Sequence, residues 1–93
     1  RLEFKEAKTQ YDFGKLCKYC VALANEGGGH LILGVTDKPP RKIVGTNAFI
    51  NSIDAAEKLF QALGFRVDIE PITHPDGRIL ISHAIRRSAS PDE

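Results

Sequence analysis

"ANEGGGHLILGVTD", Ala24 to Asp37, decides the fold of this chain. Its three glycines have the look of a phosphate cradle. Such a cradle runs strand, glycines, helix, so that free N–H groups and the positive end of the helix dipole face the anion. Upstream of Ala24, Phe13, Leu16, Cys17, Cys20, Val21 and Ala24 recur at the three- and four-residue spacing of an amphipathic helix, which Asp12 is placed to cap. Downstream, His30 to Val35 is almost wholly apolar and reads as a central strand covered on both faces. The order is therefore helix, glycines, strand. The glycines meet the carbonyl end of a helix, where the dipole repels phosphate. No Gly-Lys-Ser/Thr follows, and the local reading is a C-cap and a tight turn.

Working outward, Leu2 and Phe4 alternate with Glu3 and Lys5 as a short half-buried strand. Pro39-Pro40 forces a turn, and Lys42 to Gly45 reads as another short strand. Asn51 or Ser52 opens a second helix, expected to carry Ile53, Ala56, Leu59, Phe60 and Leu63 inward and to end at a left-handed Gly64. Phe65, Val67 and Ile69 alternate into a hairpin, Pro75-Asp76-Gly77 has turn chemistry, and Arg78 to Ile85 returns. The order is β-α-β-β-α-β-β: a two-layer α/β (α+β) domain with two helices on a mixed sheet, whose first β-α-β step is long enough for a parallel crossover. The domain is expected to cover residues 1–87, with a polar tail over 88–93.

Ninety-three residues give one core. The apolar fraction of 42% and charged fraction of 27% are those of an ordinary globular protein. No apolar run reaches the ~18 residues of a membrane span, and no signal peptide is evident, so a cytoplasmic setting and no membrane partner are expected. The chain opens on Arg1 and has no Met, which leads us to expect a piece of a longer protein. A net charge of +1 restricts any polyanion surface to a local cluster, since each neutralised phosphate needs its own Lys or Arg.

Several motifs together resemble the Schlafen-type Alba-like domain: "LEFKEA" at the start, a helix ending in Ala-Asn, Gly28-Gly29, the strand "LILGV", Asp37, and Gly45 in "KIVG". The match is good over about residues 1 to 50; beyond that only the element order agrees. The resemblance implies an Alba-like fold and a nucleic-acid-binding, DNA-binding module of a larger transcription-regulatory protein. It also implies that a projecting hairpin and nearby loops hold the polymer. The basic residues gather in those places: Lys38, Arg41 and Lys42 after the central strand, Arg66 and Arg78 on the hairpin, and Arg86-Arg87 at its end. Such residues track phosphates without reading bases. A plain mixed-charge surface is the competing reading, since Asp68, Glu70 and Asp76 share the hairpin.

Schlafen nucleases, the resemblance further implies, use three acids. Glu3 matches the second and Asp37 the third; the first would lie upstream of Arg1, with Glu6 a conceivable substitute. If the two strands are neighbours, Glu3 and Asp37 can share Mg²⁺ or Mn²⁺, which activates water and stabilises a leaving oxygen. Otherwise Glu3 is a solvated strand residue and Asp37 a turn former. No other cofactor is expected. Cys17 and Cys20 lie on the apolar stripe without further Cys or clustered His, and read as buried, reduced and metal-free. His30, His74 and His83 are scattered, each read as a surface or interface residue. A protein-interaction domain, pairing exposed strands with a second copy in a homodimer or with the rest of the parent chain, is the remaining alternative.

Overall fold

The computed structural model describes residues 1–85. Four strands and two helices follow in the order β1 (Leu2–Lys5), α1 (Phe13–Asn25), β2 (Gly29–Leu33), α2 (Ser52–Leu63), β3 (Val67–His74) and β4 (Gly77–Ala84). The sheet order is β1-β2-β4-β3. β1 and β2 are parallel, whereas β2–β4 and β3–β4 are antiparallel. The fold class is thus the mixed α+β arrangement expected.

The Asp12 carboxylate caps α1, accepting from the Lys15 N–H at 2.9 Å. At the other end Gly27 and Gly28 take φ of 100° and 103°, and the Gly28 N–H donates to the Leu23 carbonyl at 2.8 Å. This closes the helix as a glycine C-terminus does. The third glycine has a different duty. A Cβ on Gly29 would lie 2.6 Å from the Arg1 carbonyl oxygen, so a side chain there would push β1 off β2. All three glycines serve the helix-to-strand turn. Asn51 caps α2 through the Asp54 N–H, and left-handed Gly64 ends it.

α1, α2 and one sheet face share a core of Leu16, Cys20, Leu23, Ala24, Leu31, Leu33, Ala48, Leu59, Val67, Leu80 and Ala84. Among the described residues no helix lies on the other sheet face, which corrects the expectation for β2. β2 alternates between buried Leu31 and Leu33 and half-buried His30 and Ile32, so it is covered on one face only. Leu2 and Phe4 pair with His30 and Ile32 and share their open face; Glu3 and Lys5 turn toward the helix layer. On α2 the buried positions are Ala55 and Leu59, while Ile53 and Phe60 are exposed. Leu59 is buried as expected and Ala56 and Leu63 are half-buried, whereas Ala55 takes an inward position and Ile53 and Phe60 turn out. Residues 42–45 form no named strand: a single antiparallel bridge joins Val35 to Ile43, because the backbone turns at Gly34 and Gly45, both at positive φ.

Candidate functional site

Beyond the end of β2 the chain folds around one hydroxyl. The Thr36 N–H donates to the Lys42 carbonyl at 2.9 Å, and the Thr36 Oγ1 accepts from the Lys42 N–H at 2.9 Å. The same oxygen lies 3.3 Å from the Lys38 carbonyl and 3.4 Å from that of Pro40. The Pro39–Pro40 peptide is cis. This pinched loop displays Lys38, Arg41 and Lys42, all exposed. The Arg41 guanidinium sits 4.1 Å from the Phe4 ring centroid, a cation–π contact that ties the loop to the open sheet face. Among the described residues none of these three cations forms an ion pair within 4.0 Å.

The other candidate cations are differently placed. Arg78 starts β4 and points into the fold. Its guanidinium donates to the carbonyls of Thr46 (3.2 Å), Ala48 (2.8 Å) and Phe49 (2.9 Å), clamping the segment that leads to α2. Phe49 there has φ of 51°, a conformation that a bulky residue keeps only when its surroundings hold it. Arg66 precedes β3 at the opposite end of the sheet and pairs with Asp68 at 2.7 Å. Arg86 and Arg87 lie outside the described residues. The structure therefore gathers Lys38, Arg41, Lys42 and Arg78 at one end of the sheet, with Arg78 occupied by backbone.

Glu3 and Asp37 approach the β1 edge separately. Arg1 bridges Glu3 (2.6 Å) and Glu26. Asp37 stands 4.0 Å from the Lys5 ammonium, which also lies 5.6 Å from the Tyr19 ring centre. Hydrogen bonding to Tyr19, ahead of other influences, raises the pKa of Lys5. Each carboxylate thus has its own cation. No three His, Cys, Asp or Glu side chains converge on a common point among the described residues. Cys20 is fully buried and Cys17 partly so, both as free thiols; burial pushes Cys20 up to about 12 and raises Cys17.

Sequence reasoning missed two single residues and one pair. Phe4 serves as Arg41's platform, Thr36 is the staple of the loop, and His30 and His83, read singly, stand opposite each other on neighbouring strands. The first two depend on the loop folding back over the sheet, which no local pattern announces. The third was open to anyone who placed β4 beside β2.

Two solved structures share the fold. One is the N-terminal domain of a RecG-related protein of Nitrosomonas europaea that carries the name of an ATP-dependent DNA helicase: TM-score 0.65, 20% identity, 94% of this chain and 63% of that one. The other, from Corynebacterium diphtheriae, has TM-score 0.68 and 24% identity over 97% of this chain and 21% of that one. The chain thus spans less than two thirds of either. No curated protein sequence matches it at a significant level. No described helix is long and apolar enough to cross a membrane. The Schlafen, AlbA_2 sequence profile matches residues 1–92, so the chain belongs to the Schlafen AlbA_2 family.

Proposed function

We propose that this domain binds the sugar–phosphate backbone of nucleic acid through Lys38, Arg41 and Lys42, as a module of a larger regulatory protein. The observation that carries the reading is the pinched loop itself. It holds three exposed cations, none ion-paired among the described residues, at one end of a nearly neutral domain. The family and the helicase-related name of one structural neighbour support the same polymer. Lys and Arg on a loop contact phosphates and carry no base information, so binding is weak, salt-dependent and tolerant of sequence. Arg66, paired at the far end, and Arg78, engaged with carbonyls, contribute less than residue type suggested.

The test is a salt titration of the wild type and the Lys38→Ala/Arg41→Ala/Lys42→Ala variant against duplex DNA and single-stranded RNA. Each lost phosphate contact lowers the log–log slope by about 0.9 on a duplex and about 0.7 on a single strand, so the triple variant loses roughly two to three units on DNA. An unchanged slope on both polymers would overturn the reading in favour of a protein-interaction domain. The nuclease alternative needs Glu3 and Asp37 to leave Arg1 and Lys5 for a shared Mg²⁺ or Mn²⁺. In the same experiment it predicts cleavage that Asp37→Asn abolishes while binding survives.

A further inference from the structure

The open sheet face carries one row of residues with metal-binding chemistry. His30 on β2 stands directly opposite His83 on β4. Their rings are stacked, 4.3 Å between centroids and 9° from parallel. On β3, Asp68 stands opposite His83, so residues sharing a pleat bring His30, His83 and Asp68 to the same face. No helix covers them: His83 is exposed and His30 half-buried.

We propose that His30 and His83 form a surface site for a borderline divalent cation (Zn²⁺, Ni²⁺ or Cu²⁺), with Asp68 or water completing the coordination. Cβ atoms of directly opposed antiparallel residues are about 4.5–5.5 Å apart. From that spacing, turning each ring about its own side-chain bonds brings one nitrogen of each to about 2.0–2.1 Å from a shared ion. Imidazole nitrogens select these metals over Mg²⁺ and Ca²⁺, which prefer oxygen. No third donor is preassembled among the described residues; Asp68 is held by Arg66 at 2.7 Å and must swing away to join.

Burial first, then the neighbouring His83 and the N-terminal ammonium, lower the pKa of His30. The charged groups facing the pair are that ammonium from the β1 side and Asp68 with its partner Arg66 from β3. Leu2, opposite His30 on β1, is apolar.

The site is tested by calorimetric titration of the untagged protein with Zn²⁺, Ni²⁺ and Mg²⁺ at neutral pH, without nucleic acid, so that its outcome is independent of the binding reading above. Saturable one-to-one binding of Zn²⁺ and Ni²⁺ is expected, with none of Mg²⁺. His30→Ala and His83→Ala should each weaken it at least roughly tenfold, as loss of groups in or next to a coordination shell does. Asp68→Asn should weaken it less, and His74→Ala should leave it unchanged. Histidine ring resonances of the wild type should report the same two side chains. If His30→Ala proves unfolded by circular dichroism, His30→Gln replaces it. Absence of saturable Zn²⁺ or Ni²⁺ binding, binding that survives both histidine variants, or binding lost with His74 would overturn the proposal.

Discussion

Arg78→Ala separates a structural arginine from a phosphate contact. The guanidinium makes three hydrogen bonds to the Thr46, Ala48 and Phe49 carbonyls, at 2.8 to 3.2 Å. Hydrogen bonds from a charged donor contribute about 1.5–3 kcal/mol each, which sets an upper bound of about 4.5–9 kcal/mol. Arg78 is only partly buried, and water can reach part of what it leaves, so we expect a loss of about 2–4 kcal/mol. For a domain of this size each kcal/mol shifts the melting midpoint by about 4–8 °C, giving a fall of roughly 8–32 °C. Urea unfolding followed by circular dichroism measures the same quantity, with the slope m unchanged. Arg78→Lys should recover less than half of the loss, because an ammonium cannot fork between carbonyls as a guanidinium does. It also keeps the charge, and so the salt dependence of nucleic-acid binding. A stability loss under about 1 kcal/mol in Arg78→Ala, with a duplex salt slope lowered by about one unit, would refute the clamp and restore Arg78 to the phosphate surface.

Ser82 is fully buried on the helix side of β4, and among the described residues its hydroxyl finds no hydrogen-bond partner. Ser82→Ala should therefore raise stability by about 1 kcal/mol in urea unfolding, whereas a loss of similar size would reveal a partner for the hydroxyl. His30 gives a pH dependence whose sign follows from its lowered pKa: protonation costs more in the folded than in the unfolded state. Its contribution is complete above the ordinary imidazole value of about 6.5 and is lost as pH falls below that, toward the folded pKa. Melting midpoints measured in chelated buffer should hold above about pH 7 and fall as pH drops below about 6.5, with His30→Gln flatter there; parallel curves would contradict the assignment.

The sequence carries the elements more clearly than their neighbours. Asp12, the glycines, Gly64 and the Pro75-Asp76 turn are local signals, and each marks a boundary found in the structure. Facing is another matter. Ile53 and Phe60 lie beside Ala55 and Leu59 around a helix that is apolar over a broad arc, and only the shape of the sheet selects the buried side. Leu2 and Phe4 likewise look like core residues until β1 is known to be an edge strand with its apolar side open. At the site, residue type revealed the cations but not their engagements. Arg66 and Asp68 are two residues apart and readable as a pair. Arg78 reaches carbonyls about thirty residues upstream, through a chain path that has no local signature.

The strand order explains why these two kinds of arginine coexist at one end of the molecule. Because β4 returns between β2 and β3, its first residues pass beside the segment that follows the loop, and the Thr46 N–H donates to the Arg78 carbonyl at 2.8 Å. Arg78 is drawn into that crossing by geometry and joins the fold through both backbone and side chain. The loop of Lys38, Arg41 and Lys42 branches off before the crossing and is closed by Thr36 and the Val35–Ile43 bridge. Its cations hold nothing else up, apart from Arg41 against Phe4. Charge on the loop can therefore be removed with small effect on the fold, as is usual for surface substitutions. Charge at Arg78 cannot. On the proposed phosphate-binding reading, the loop can vary in its cations while the Arg78 clamp fixes the Thr46-to-Phe49 segment behind it.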